Sequence, residues 1–407
     1  MAEDGERVGL VLSGAAARGP YQAGALSVLV PKLLAAGHRP VVLLGTSSGA
    51  INAALLGQFA DTGADAGQHV VDSWKGLDDV FRNPIYGTST LRLACRTILG
   101  SWVGELVRPL PALLDTTPLR EYAGEIFQPE RLLANIRAGA PATLAVAATV
   151  CPTAGAAARS RLFVLGEPLR RPLGDTAVDV VGVEMLAAHH LLASAAIPVL
   201  FPPEYVPEPA PIRGWYVDGG VRLNAPLGAA LAAGVTRVVV VSGHSAAPPP
   251  PPAPVDPGAP PDMASSTAVA LRAVLADGLA DDLQALGRRN RWVERMRGTL
   301  PADDMPYRSV PYLLVAPEDG RLAALAAGAF RPSLLPRDAY WAIGRLLDVL
   351  GDAMGRDELL SLILFEPDYA AAQAELGREH AEQALAGGWR LDPPEASDVA
   401  RRPSTLG

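Results

Sequence analysis

Lysine is almost missing from this sequence. Lys32 and Lys75 are the only two among 35 basic residues. With abundant Ala, Gly and Pro, this reads as a GC-rich coding bias, so arginine counts carry little functional weight. Cysteine is as scarce. Cys95 and Cys151 stand alone with no CxxC pair, which excludes a disulfide framework and a cysteine-based zinc site. They read as buried thiols in a reducing compartment. Positive charge is short as well: the net charge is −8 and the pI near 5.4. Nucleic-acid binding needs basic faces that displace counterions, so that partner class is excluded. Long apolar runs are missing too. None approaches the ~20 residues of a spanning helix, and Val8–Leu12, after an acidic start, is too short for a signal peptide. The expectation is a soluble cytoplasmic protein that can still touch a membrane from the side.

What is present is core-forming material. Of 407 residues, 49% are apolar and 19% charged, which rules out a wholly disordered chain. Val8–Leu12 reads as a buried strand, the loop 13–20 follows, and Tyr21–Leu34 reads as a helix with Pro20 in its first turn. Val41–Leu44 is a second buried strand, followed by Gly45–Gly49 and a helix of small residues to about Leu56. Strand, loop and helix occur twice in sixty residues, the opening of a largely parallel α/β sheet. Residues 57–140 read as a helical insertion over the sheet. Strands are expected at Thr143–Val150, Arg161–Leu165, Gly214–Val217, Thr236–Val241 and Val310–Val315. Helices are expected at Glu184–Ala196, Met263–Arg297, Asp338–Leu350 and Asp357–Leu385. Residues 246–261 are proline-dominated, a solvated loop of polyproline character.

Gly45-Thr46-Ser47-Ser48-Gly49 matches G-x-S-x-G. The string alone is weak, but it follows a strand and opens a helix, the setting of a nucleophile elbow. Gly45 and Gly49 would permit a tight turn at Ser47, and the helix N-terminus favours developing negative charge. A serine nucleophile needs a base. None of the six histidines (His38, His69, His189, His190, His244, His380) sits in a compelling motif, and His244, after the strongest strand, is the best of them. Asp218, in Tyr216-Val-Asp-Gly-Gly220, is a carboxylate just past a strand, although Asp-Gly turns are common. Gly14-Ala15-Ala16-Ala17-Arg18-Gly19 lies between a strand and a helix, where backbone N–H groups converge on an anion. No Lys-Ser/Thr follows Gly19 and G-x-G is absent, so it is neither a P-loop nor a dinucleotide fingerprint. An oxyanion hole or a plain turn remains.

Together these blocks resemble the patatin-like phospholipase family. Gly14–Gly19 resembles its oxyanion loop G-G-G-x-R-G, and Gly45–Ala50 its nucleophile block G-T-S-x-G-A. Ala193–Pro203 matches A-S-x-A-x-P-x-x-F-P-P, and Asp218-Gly219-Gly220 with Asn224-Ala225-Pro226 resembles D-G-G with N-x-P. The resemblance implies a three-layer α/β/α sandwich with a mostly parallel central sheet and a helical insertion. It implies one domain over 1–388, with 263–388 giving C-terminal helices and the last strand, and a loose tail over 389–407. It further implies a histidine-free dyad with Ser47 as nucleophile and Asp218 as base, N–H groups of Gly14, Ala15 and Ala16 at the oxyanion, and Arg18 and Gly19 completing the loop. No cofactor or metal is implied. The substrate class is a lipid or acyl ester, and the oligomeric state stays open.

The middle glycines of the oxyanion block are Ala15 and Ala16 here. Donation needs only backbone N–H, so alanine can serve, but wherever φ must be positive it costs roughly 1–2 kcal/mol. Two rivals accompany this reading: an acyltransferase using the same dyad, and a weakly active or non-catalytic lipid-binding scaffold. Within Leu91–Leu114, Leu93, Ile98, Leu99, Trp102, Val103 and Leu106 alternate with Arg92, Arg96 and Arg108. That stretch reads as a lid or interfacial patch, or more plainly as a helix packed on the sheet.

Overall fold

Nine short stretches form one sheet. They are β1 (Val8–Leu12), β2 (Pro40–Thr46), β3 (Thr143–Val150), β4 (Arg159–Gly166), β5 (Val178–Gly182), β6 (Glu204–Val206), β7 (Gly214–Asp218), β8 (Arg237–Val241) and β9 (Tyr312–Val315). The computed structural model describes residues 5–75, 116–152, 157–198, 200–246, 278–301, 305, 307–331, 344 and 355–392. The strand order is β5-β4-β3-β2-β1-β8-β9, with β7 joined to β3 and β6. From β3 through β2, β1 and β8 to β9 every pairing is parallel. The β3–β4, β3–β7 and β6–β7 pairings are antiparallel, and β5 adds to β4 in parallel.

The near-continuous apolar runs of β1, β3 and β8 are explained by burial on both faces. Side chains alternate across the sheet. Leu10, Leu12, Leu43, Val146 and Val239 enter one core, while Val11, Val42, Leu44, Ala145 and Val240 enter the other. The first core is closed by α1 (Gly19–Ala35), α2 (Ser48–Gln58), α3 (Ala66–Trp74), then α4 (Thr117–Ile126) and α5 (Pro129–Arg137). The short α6 (Ala188–Ser194) joins them. The second core is closed by α7 (Leu227–Ala232) and α8 (Leu279–Met296) through Leu227, Leu283 and Leu286. The result is the expected α/β/α layering around a mostly parallel sheet.

After α9 (Arg321–Ala329), the C-terminal helical stretch is two helices, α10 (Gly355–Ile363) and α11 (Pro367–Gly387). Sequence periodicity suggested one. Pro367 divides them, because proline fits a first turn and holds the residue before it extended, as at Glu366 (φ −87°, ψ 137°). α11 lies directly on α1. A Cβ at Gly24 would overlap the Ala374 carbonyl, and one at Gly377 the Tyr21 carbonyl.

The helix expected over Glu184–Ala196 is the shorter α6, and β5 and β6 were not foreseen. The stretch 57–140 contributes α3, α4 and α5; its residues 76–115, including Leu91–Leu114, lie outside the described residues. So do nearly all of the proline-rich 246–261 and of Asp338–Leu350, and the tail beyond 392. Among the described residues no helix is long and apolar enough to cross a membrane.

Candidate active site

β4 occupies one edge of β3 along its whole length. The other edge is shared. β2 runs parallel to β3 and ends with Thr46 opposite Ala147. β7 runs antiparallel and ends with Asp218 opposite Ala148. Two strands therefore approach along one edge from opposite directions and meet end to end. Ser47 is the first residue past β2 and Asp218 the last of β7, so the topology alone brings them together. The Ser47 hydroxyl donates to Asp218 Oδ2 at 2.6 Å. Ser194, from α6, seals the junction: its Oγ accepts from Ser47 N–H at 2.8 Å and donates to the Ala147 carbonyl at 2.5 Å.

Ser47 has φ +56° and ψ −130°, on the left-handed side that side chains avoid. Such strain, of order 1–3 kcal/mol, persists only where surroundings impose it. Here they do. A Cβ at Gly45 would overlap the Gly49 carbonyl, and a Cβ at Gly49 would overlap the Leu12 carbonyl. Both elbow glycines thus permit backbone contact, as the sequence suggested. The Ser47 carbonyl accepts from Ala50 and Ile51 N–H at the start of α2, so Ser47 caps the positive end of that helix.

Asp218 is fully buried. Burial pushes its carboxyl up to about 7, against the hydrogen bonds from Ser47 and from Gly220 N–H. Near neutral pH it can both hold and release a proton, the condition for a general base. No histidine competes. His38 meets Glu6, His69 lies on the Phe59 ring, and His380 bonds Tyr21. His189 and His190 lie against each other, and His244 Nδ1 faces Arg18.

The loop at 14–19 divides its labour differently from the expectation. Gly14 N–H is already donated to the Asn224 carbonyl at 2.9 Å. Ala15 and Ala16 N–H make no hydrogen bond among the described residues. Ala15 has a negative φ (−144°, ψ 0°), whereas Ala16 has φ +50° and lines the pocket beside Ser47. Arg18 is an anchor and points its guanidinium at other groups: Ser361 Oγ (3.1 Å from Nε), the Gly243 carbonyl (3.1 Å), His244 Nδ1 (3.0 Å) and Glu358 (2.6 Å). Gly19 packs against Trp74, whose ring a Cβ would overlap, and its carbonyl accepts from Asn52.

Ser47 opens onto an apolar pocket lined by Ala16, Leu55, Trp74, Leu192, Phe201 and Phe365. Its walls suit a hydrocarbon chain. Two of the other polar groups there are spent internally, Ser73 on the His69 carbonyl and Tyr122 on the Ser73 carbonyl. Among the described residues no group of three or more His, Cys, Asp or Glu is placed to hold a metal ion. Sequence reasoning gave no role to Ser194, Asn224 or Phe365. The first two stood inside recognised blocks; Phe365 carried no signal.

The chain is similar to VipD from Legionella pneumophila, a solved structure, at 12% identity and TM-score 0.31, over 95% of this chain and 68% of that one. No curated protein matches it. The profile described as patatin-like phospholipase matches residues 10–231, more than half the chain, and spans all four sequence blocks and the Ser47–Asp218 pair. The chain belongs to the patatin-like phospholipase family.

Proposed function

We propose that the protein is a serine lipid acyl hydrolase, of phospholipase A, lysophospholipase or esterase type, working through a Ser47–Asp218 dyad. The observation that carries this reading is the 2.6 Å hydrogen bond from Ser47 to a buried carboxylate beside an apolar pocket. Membership of a family that is typically one of lipid-ester hydrolases supports it. Asp218 accepts the Ser47 proton as the hydroxyl attacks an acyl carbonyl. Ala15 and Ala16 N–H, which make no hydrogen bond among the described residues, receive the oxyanion. The protonated Asp218 passes its proton to the leaving alcohol or lysolipid. It then takes a proton from the water that attacks the acyl-enzyme and returns it to Ser47 Oγ as the fatty acid leaves. The acyl chain lies in the apolar pocket throughout.

The test is fluorophosphonate labelling of wild type, Ser47→Ala and Asp218→Asn, beside hydrolysis of short and long p-nitrophenyl esters. Wild type should label and turn over. Both variants should lose turnover by roughly 10⁴–10⁶-fold. Labelling that survives Ser47→Ala would overturn the assignment.

A further inference from the structure

The groups that hold the Arg18 side chain of the oxyanion turn come from outside the family match. That match ends at residue 231, yet Arg18, 3% exposed, is held from α10. Glu358 Oε1 lies 2.6 Å from its guanidinium. Ser361 Oγ accepts from Arg18 Nε and Nη2 while donating to the Glu358 carbonyl at 2.5 Å. From α11, Gln373 Nε2 donates to the Ala17 carbonyl at 3.2 Å. Arg18 N–H in turn closes the turn onto the Ala15 carbonyl at 2.9 Å. The same segment reaches the pocket itself through Phe365.

The turn needs holding. Ala16 sits at φ +50°, a conformation an alanine leaves when released. A buried arginine gives the required stiffness only while its charge is compensated. Removing one partner of such a pair leaves an uncompensated cation that shifts its surroundings. Resting on the hydrolase reading, we infer that Glu358 and Ser361 are positioning residues of the reaction: through Arg18 they hold the Ala15 and Ala16 N–H groups on the oxyanion. The C-terminal helices are therefore a working part of the site.

The experiment uses the full chain with Glu358→Gln, Ser361→Ala and, as a destabilising control, Leu283→Ala in the second core, on the other face of the sheet. Fluorophosphonate titration counts active sites, and p-nitrophenyl ester hydrolysis gives kcat per site and KM. Glu358→Gln and Ser361→Ala should lower kcat per site roughly 10- to 100-fold, as a misplacement of about 1 Å does, with KM within about twofold. Leu283→Ala should lower Tm with kcat per site unchanged. Hydrogen exchange at residues 15–18 should quicken in the first two variants, a readout independent of activity. Wild-type kcat per site in both variants, or unchanged exchange, would overturn the link. Labelling that persists in Ser47→Ala sinks the hydrolase reading instead, and exchange then still decides whether Glu358 and Ser361 hold the turn.

Discussion

A methyl group at Ala15 and one at Ala16 have opposite consequences. Ala15 has a negative φ (−144°), is 1% exposed, and its Cβ packs against Gly243. Glycine there would lose buried surface and loosen the unfolded chain, costing about 1–2 kcal/mol. Ala16 has φ +50°, where alanine is strained by roughly 1–2 kcal/mol and glycine is not. After the entropy that glycine adds to the unfolded chain, Ala16→Gly should stabilise by about 1 kcal/mol. Denaturant unfolding with unchanged m-value checks both signs. Equal shifts at the two positions would contradict the assignment of strain to one of them. The sequence showed that two family glycines are replaced here, but not which position carries the positive φ. That depends on where α10 and β8 pin the turn, and those lie hundreds of residues away. Ser47 and Asp218 were legible because each stands in a motif whose neighbours have a local job. Arg18 was legible only by analogy, and its true partners, Glu358 and Ser361, carry no motif.

The element that makes the site is a junction. β2 and β7 end against each other on one edge of β3, and Ser194 bridges the gap through Ser47 N–H and the Ala147 carbonyl. Ser194→Ala leaves a buried donor and a buried acceptor without a partner, a cost of about 1–3 kcal/mol. It also frees the strained elbow. Tm should fall, and kcat should fall roughly tenfold or more, since Ser47 is the proposed nucleophile. Thermal unfolding and ester hydrolysis measure the two effects. An unchanged kcat would show that the elbow glycines alone hold Ser47. The strands of this junction differed in legibility for a physical reason. β1, β2, β3 and β8 are buried on both faces and so read as apolar runs. β5 is a half-exposed edge strand and β6 spans three residues, so neither leaves a periodic pattern. That β7 opposes β2 could not be read at all, because strand partners and directions are non-local choices.

Across the whole molecule, two buried groups pull stability in opposite directions with pH. Asp218 titrates near 3.8 when free and near 7 in the fold. Between those values the folded protein keeps a proton that the unfolded chain has released. Its stabilising contribution is therefore complete below about 3.8 and is lost as pH rises through 7. His190 does the reverse. Burial and neighbouring His189 push it from 6.5 down to about 3. Below 6.5 the unfolded chain gains a proton that the fold refuses, so this contribution is lost as pH falls toward 3. The two slopes overlap and largely cancel between 3.8 and 6.5. Asp218→Asn removes one of them. The amide Oδ1 can accept from Gly220 N–H and the Nδ2 can donate to Ser47, so both neighbours of the carboxylate stay bonded. The variant should match wild type in Tm near pH 4 and exceed it increasingly toward pH 8. There the avoided burial of a charge is worth on the order of 4 kcal/mol. A Tm difference flat from pH 4 to 8 would show that Asp218 titrates normally. If it is the base, wild-type kcat/KM must also rise with pH to a plateau, with an apparent midpoint near 7, because only the carboxylate accepts the Ser47 proton. The protein would then gain activity over the same pH range in which it loses stability, and one side chain would account for both.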